Sequence, residues 1–363
     1  MKVLFVVSGI GYGDAMREHC NIQELKKKYP SSKIMVAGYD HSYDYFKEKY
    51  DTIKITGYKL PGESMNVNAF NFVLKNFLLP WYWFFGTLKV RLKAYNFIPD
   101  VVISDFEPAG ISLAEILGKK CVVVFGFDPL LYNEYKKNHK VNIKMKVQAT
   151  YFEKLYNLAE MVVIPTFKKD KEQHLIYTYI NPIIRTEPKE LPSENYLMKY
   201  FGLKKKPIIL VLGGSNFGMK LAKNINLIAA ENKNEEFIIF GGDLDFKLNG
   251  NVRYIKFTDD ILKYMKIAKG VITLGGQKTL SEAMVYGKPV LCFPIQNHIE
   301  QLLNAYALED VLIVSHDSSL NAVRKNFNLF LKKIPELNEK VAKRNFSSNG
   351  SKQFLDIFDL ITK

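Results

Sequence analysis

Two stretches of this chain hold residue types that could do chemistry. The first is SGIGYGDAMREH, Ser8 to His19, directly after an apolar run that opens the sequence. Glycines at 9, 11 and 13 look like a phosphate-binding turn, but the residue that follows them is Asp14, whose charge would repel a phosphate. The second is DDILKYMKIAKGVITLGGQKTLSEAMVYGKPVLCFPIQNHIEQLLNA, Asp259 to Ala305. Here GVITL reads as a strand ending in Gly275-Gly276, with a helix expected to begin near Thr279 or Ser281. Backbone N–H groups and the positive helix end then sit at the strand tip, an anion site for phosphates. Glu282, one turn into that helix, is placed to accept hydrogen bonds from vicinal hydroxyls such as those of a ribose. A further strand, PVLCFP, leads into Asn297, His298, Glu300 and Gln301, which suit a polyhydroxylated ligand.

These residues need strands to carry them, and the sequence supplies them in two similar halves. KVLFVV, KIMVAGY, TIKIT, DVVISD, KKCVVVFG and MVVIP alternate with helical patterns in the first half. Continuous apolar strands separated by helices indicate a parallel sheet covered on both faces. From Pro165 to Lys206 the pattern loosens into a proline- and charge-rich linker. PIILVLGGS, EFIIFGG, NVRYIKF, GVITLGG and KPVLCFP then repeat the arrangement. The expectation is an α/β protein of two Rossmann-like parallel-sheet domains facing across a cleft, residues 1–184 and 185–345, with a terminal helix over 346–363 packing back on the first domain. Its 363 residues suit two cores rather than one. In such sheets ligands bind beyond the carboxyl ends of the strands.

The second stretch resembles the donor-binding half of GT-B glycosyltransferases, in particular the MurG-like and UDP-glycosyltransferase group. That family's pattern is a glycine pair, Thr or Ser, a Glu on the next helix, G-x-P, a strand ending in Pro, and an acidic residue plus Gln before Asn-Ala. This chain has Gly275, Gly276, Thr279, Glu282, Gly287, Pro289, Pro294, Glu300, Gln301, Asn304 and Ala305 in that order. The resemblance implies that Gly276 to Leu280 cradle the diphosphate of a nucleotide-sugar, a UDP-sugar in most of the group, with Gly275, Gln277, Lys278 and Thr279 among the donor-binding residues. It implies that Glu282 binds the ribose, and that Glu300 with Gln301 hold the sugar hydroxyls. Gly214, Ser215 and Asn216 of LGGSN match the loop that lies against the diphosphate, and Phe257 ends the strand whose main chain pairs with the base. Many relatives have His before the glycine pair; here it is Leu274, and Lys278 either supplies the missing charge or faces solvent.

The opening motif resembles the family's G-x-G-x-G-H-x-x-R, with Arg17 kept and the His replaced by Asp14. In relatives this loop lies over the acceptor and the His deprotonates its hydroxyl, because an alcohol attacks poorly until it loses its proton. Aspartate can take that role if its proton affinity is raised, and two carboxylates sharing a site raise one of them. Asp105, at the tip of ISDFEP, matches the family's carboxylate that orients the His. Asp14 with Asp105 is thus the candidate catalytic pair; alternatively, Asp14 only caps the helix expected after Gly13. Gly11, Gly13, Arg17 and Glu107 are the candidate acceptor-binding residues, with an ion pair to Asp14 the competing account of Arg17. His19 lies off the Asp14 face. His41, directly after a strand, is the better placed rival base.

FNFVLKNFLLPWYWFFGTLKVRLKAYNF, Phe70 to Phe97, joins both tryptophans to Lys75, Lys89, Arg91 and Lys93. Aromatics beside cations suit an anionic membrane surface, and a pair of core helices is the alternative. The apolar run at 77–86 is too short to span a bilayer, and the opening run leads into glycines without a cleavage site. With 51 Lys+Arg against 37 Asp+Glu, the formal charge of +14 favours anionic partners. The expected location is cytoplasmic, peripheral on the inner face of the cell membrane. Cys20, Cys121 and Cys292 are scattered and read as reduced core thiols. Asp243-Leu244-Asp245 reads as a solvated turn, so no metal and no cofactor are expected, and dispersed basic residues do not support a nucleic-acid partner. The reading is an inverting, metal-independent transfer of a sugar from a nucleotide-sugar to a hydroxyl; the alternatives are a nucleotide-sugar hydrolase that uses water as acceptor and an inactive donor-binding subunit.

Overall fold

The computed structural model describes residues 1–57, 59, 62–63, 65–67, 74–141, 143, 145–146, 148–150, 159–168, 176–213 and 216–362. The chain forms two compact units. One holds Met1–Pro61, Asn68–Arg185 and Asn349–Lys363, the other Gly62–Val67 and Thr186–Ser348.

The first unit begins β1 (Lys2–Val7), α1 (Tyr12–Lys28), β2 (Lys33–Gly38), α2 (Asp40–Phe46) and β3 (Asp51–Lys54). A short hairpin, β4 (Gly62–Glu63) and β5 (Asn66–Val67), belongs to the second unit. The first unit resumes with α3 (Leu79–Phe97), β6 (Val101–Asp105), α4 (Ala109–Leu117), β7 (Lys120–Val124), α5 (Leu131–Asn138), β8 (Met161–Pro165) and β9 (Tyr177–Ile180). Its strands pair in parallel in the order β3-β2-β1-β6-β7-β8-β9. The central strands are buried along nearly their whole length, as unbroken apolar runs require when helices cover both faces.

The second unit follows with α6 (Glu194–Tyr200), β10 (Ile208–Val211), α7 (Met219–Glu231), β11 (Phe237–Phe240), β12 (Val252–Ile255), α8 (Ile261–Ile267) and β13 (Gly270–Thr273). It continues with α9 (Gln277–Val285), β14 (Val290–Cys292), α10 (Ile299–Tyr306), β15 (Ile313–Val314) and α11 (Leu320–Arg344). The parallel order is β12-β11-β10-β13-β14-β15. The last helix, α12 (Gly350–Thr362), buries Phe354, Leu355, Ile357, Phe358 and Ile361 in the core around β1. Asp359 on α12 accepts from Tyr29 at 2.8 Å and pairs with Lys28 at the end of α1.

Both sheets reverse their winding once, between β1 and β6 and between β10 and β13. At these points the flanking helices diverge and open a crevice at the strands' carboxyl ends. Register sets Val7 beside Asp105 in the first sheet and Val211 beside Thr273 in the second. The loops singled out by sequence therefore leave the sheet at the crevice of their own unit. The stretch read as a linker contains structure: β9, an edge strand whose two end residues are buried, and α6, capped by Ser193 accepting from the Tyr196 N–H. An edge strand of four residues has too short a pattern to register as one.

Candidate functional site

In the first unit the opening loop descends into α1 earlier than the sequence implies. Gly11 is the N-cap and the helix begins at Tyr12, so Asp14 stands in its first turn rather than at the cap. A side chain on Gly11 would meet nothing within 4 Å, whereas Gly13 lies inside the helix.

Arg17 is 1% exposed and is held by both carboxylates. Its Nε donates to Asp105 Oδ2 at 2.9 Å and its Nη2 to Asp105 Oδ1 at 2.5 Å, while Nη2 also reaches Asp14 Oδ1 at 2.8 Å. Burial works against its charge, but Asp105 and then Asp14 outweigh burial and its proton affinity rises. This corrects two expectations. Arg17 is not presented to an acceptor phosphate, because its guanidinium is buried between carboxylates. Asp14 and Asp105 do not form a bare carboxylate pair, because the cation joins them both.

The carboxyl that answers to Asp105 is instead Glu18, fully buried and missed by the sequence reading. Burial first, and then the Asp105 charge and hydrogen bond, hold Glu18 well above the usual carboxylate range, with Arg17 acting against them. Asn21 donates its amide to both Glu18 oxygens at 3.2 and 3.3 Å. A signal was present: positions 14, 17, 18 and 21 share one face of α1, a polar stripe beside the buried Ala15, Ile22 and Leu25.

Glu107 also departs from its expected role as an acceptor contact. It is completely buried, its Oε1 accepts from the Ala109 N–H at 3.3 Å, and its Oε2 has no partner. Burial lifts it to about 7, against which the Ala109 bond and the Tyr39 hydroxyl act more weakly. Tyr39, 3% exposed, also meets the Ser8 hydroxyl at 3.3 Å. His19 is a packing residue: it bonds Tyr50 and Gln23 and sits edge-on to Tyr45. His41 lies beside the opening loop, its ring 4.6 Å from that of Tyr12.

In the second unit, β13 runs into Leu274, Gly275 and Gly276. Gly275 has φ +90°, and a Cβ there would lie 3.1 Å from the Gln301 carbonyl and 3.2 Å from Cys292 Sγ. Glycine alone suits that backbone and that gap. Gly276 caps α9 without a side-chain hydrogen bond, and the first turn closes with Leu280 N–H to its carbonyl at 3.1 Å. The helix starts at Gln277, earlier than expected, which sets Lys278 and Glu282 one turn apart. Lys278 Nζ lies 3.4 Å from Glu282 Oε1 and both are nearly buried. Lys278 is thus neither a solvent-facing lysine nor an isolated charge for a phosphate. Thr279, half-buried, occupies the same first turn.

The loop after β14 turns at Asn297, whose φ of +61° is unusual for a residue with a side chain. Burial lowers His298 to about 4, so its imidazole is neutral at physiological pH. Glu300 stands in the first turn of α10. Gln301 does not offer its whole amide to a sugar, because Oε1 accepts from the Ile295 N–H at 3.0 Å. Phe257, past β12, is 57% exposed. Gly214 and Ser215 lie outside the described residues, as does the side chain of Asn216. Asp243 is exposed and pairs with Lys256 at 2.5 Å.

The hairpin of residues 62–67 is built against these loops, which no sequence pattern announced. Met65 donates its N–H to Phe217 and accepts from Gln296 at 2.9 Å. Gly213, Gly241 and Gly275, all with positive φ, end β10, β11 and β13.

Comparison with known proteins agrees with this geometry. The model of a family described as glycosyl transferase family 1 matches residues 1–335. An uncharacterized glycosyltransferase of Methanosarcina mazei is 25% identical over 339 residues, covering 85% of this chain and 84% of its own. The UDP-N-acetylglucosamine--N-acetylmuramyl-(pentapeptide) pyrophosphoryl-undecaprenol N-acetylglucosamine transferase of Flavobacterium psychrophilum is 26% identical over 380 residues, 99% of this chain and 97% of its own. Among solved structures, Phytolacca americana UGT2, complexed with UDP-2-fluoroglucose and pterostilbene, superposes with a TM-score of 0.65 at 14% identity over 100% of both chains. The two parallel-sheet units match the GT-B fold.

Two outcomes follow for the first unit. Arg17→Met leaves Asp105 buried without its cation and lowers stability by about 3–5 kcal/mol, and adding Asp105→Leu restores much of the loss; denaturant titration of the two variants measures both. Glu107 has its folded pKa raised, so its contribution is present at low pH and is lost as pH rises through about 7. Between pH 5 and 8 it removes roughly 2–3 kcal/mol of stability. Glu107→Gln flattens that part of the slope, as seen by comparing urea midpoints of the two proteins across the range.

Proposed function

The chain belongs to glycosyl transferase family 1, and from that premise we propose that it moves a sugar from a nucleoside diphosphate, a UDP-sugar, to a hydroxyl, with inversion and without a metal. The observation that carries this reading is the end of β13: a glycine pair, a helix with no side-chain cap, and Glu282 one turn and a half inside it. A helix leaves its first N–H groups without intrahelical partners and concentrates positive potential there, which favours a diphosphate. That potential stabilises the leaving nucleoside diphosphate in place of a cation. Glu282, with Lys278 beside it, accepts from the ribose hydroxyls. Glu300 meets the sugar, and Gln301 holds the preceding backbone in place. The named relative from Flavobacterium psychrophilum supports UDP and a sugar acceptor that is lipid-linked.

A lipid-linked acceptor is also supported by α3. Thr87 and Val90 are buried against the unit, yet Trp81, Phe84, Phe85, Leu88, Leu92 and Tyr95 are exposed. Lys75 and Arg91 are exposed nearby, Lys89 reaches the Lys54 carbonyl at 3.2 Å, and Lys93 pairs with Asp51. A helix so apolar on its open side gains by entering a headgroup layer, and its cations favour an anionic one. Among the described residues no helix is long and apolar enough to cross a membrane. The protein works peripherally, on the inner face of the cell membrane. Residues Phe70 to Val73 of this stretch lie outside the described residues.

Purified protein given radiolabelled UDP-sugars with cell membranes is expected to place label in the lipid fraction, at a rate that survives EDTA. Free sugar formed equally without membranes would show a hydrolase instead. Glu282→Gln is expected to weaken UDP binding by about tenfold, corresponding to one lost charge-assisted hydrogen bond, as read by calorimetry. On vesicles containing phosphatidylglycerol, Trp81→Ser with Phe84→Ser should reduce retention by at least about tenfold while UDP affinity stays unchanged; equal retention of variant and parent would remove α3 from the membrane.

A further inference from the structure

We infer that His41 is the base that takes the proton from the acceptor hydroxyl, a role that rests on the transferase reading above. The residue at the motif position, Asp14, is bonded to Arg17 at 2.8 Å. A guanidinium favours the ionised form of a carboxylate it holds and so weakens it as a proton acceptor. Asp105 is buried beside the same cation, and burial with the Asp105 charge raises Glu18 well above the usual carboxylate range. The polar cluster of α1 is therefore a structural device, and proton removal falls to another group at the same loop.

Among the described residues, His41 comes to that loop. β1 and β2 are parallel neighbours with Val7 opposite Gly38, so the segments that follow them emerge side by side. Gly9 approaches Tyr39 so closely that a Cβ on it would lie 1.9 Å from the Tyr39 carbonyl oxygen. The His41 N–H points to the Gly9 carbonyl at 3.4 Å. Its ring meets Tyr12 at 4.6 Å between centroids, and Tyr12 is the residue after Gly11, whose Cβ position is open. Asp40, immediately before it, holds φ +41°, in the left-handed region that few residues with a side chain adopt.

The groups around the imidazole are few. Tyr12 comes from α1, Asp40 adjoins it, and Asp44 lies one turn along α2, close enough for the two charges to interact. Asp44 in turn faces Lys47 at 2.9 Å and senses Lys54 from β3. His41 is half-buried, so its ring has both a packed face and access. Histidine is the side chain suited to exchanging a proton near neutral pH. In the step, the acceptor O–H proton passes to the imidazole, the acceptor oxygen bonds the anomeric carbon, and the bond from that carbon to the phosphate oxygen breaks. The nucleoside diphosphate leaves with the electron pair.

His41→Asn and His41→Gln, assayed with UDP-N-acetylglucosamine and the other UDP-sugars on cell membranes, should lower kcat by at least about a hundredfold. UDP affinity by calorimetry should match the parent, which also reports that each variant is folded. Asp14→Asn should lower kcat less than either. Imidazole added to His41→Gly should restore part of the rate, as a purely structural role would not allow. The assignment is overturned if both His41 variants keep kcat within threefold, or if Asp14→Asn loses more than they do at unchanged stability. Parent protein that binds UDP and transfers no sugar overturns the transferase reading, and the assignment with it.

Discussion

A buried ion pair organises the first unit. Arg17 on α1 and Asp105 at the tip of β6 meet with neither exposed by more than 1%, where an unpaired charge would cost several kcal/mol. Because neither can be desolvated alone, α1 is fixed against β6 at the point where the sheet reverses its winding. The opening loop between β1 and α1 is bounded by that fixed helix, and its shape follows from it. Glu18 adds a second condition. With Arg17 already held by Asp105 and Asp14, burial and the Asp105 charge raise Glu18 well above the usual carboxylate range. The cluster is a scaffold made of groups that, seen only as letters, look catalytic.

The second unit reaches the same kind of crevice by a different physical route. No buried arginine stands at β10 or β13; the strand ends turn through glycines with positive φ, and the start of α9 is left without a cap. The first unit thus fixes its loop by charge, and the second exposes backbone. That division suits an acceptor with a reactive hydroxyl on the one hand and a diphosphate on the other. The hairpin at residues 62–67 bears on the second of these: Met65 bridges the loops after β10 and β14 through backbone hydrogen bonds alone. Its backbone bonds hold those loops in register whatever their side chains do.

The fold class was legible because both sheets are built from strands whose burial is continuous, such as Val3 to Val7 and Val101 to Asp105; such runs look alike in sequence and structure. The glycine pair after β13 was legible for the same reason, since φ +90° at Gly275 leaves few alternatives. Charges were read less well. Asp14, Arg17, Asp105 and Glu107 were placed at strand tips and helix starts, but the burial of Arg17 and Asp105 depends on their pairing across 88 residues. Glu18 was missed because a glutamate on a helix normally faces water; the polar stripe at 14, 17, 18 and 21 was its signal, and its burial shows only in the fold. Helix starts shifted by two residues at both loops, enough to move Asp14 off the cap and bring Lys278 to Glu282.

Those shifts change what substitution of the motif histidine means. A carboxylate at that position, one turn before a buried arginine, is drawn into the ion-pair cluster, to which a neutral imidazole would bring no countercharge. With Asp14 bonded to Arg17, the start of α1 is tied to the same cluster. The segment after β2 lies directly beside it, interlocked through Gly9 and Tyr39, so a residue two places further on can reach the same space without any change in the sheet. In a parallel sheet every strand delivers its next residue to the same edge, and a chemical role can pass from one loop to its neighbour while the fold stays as it is.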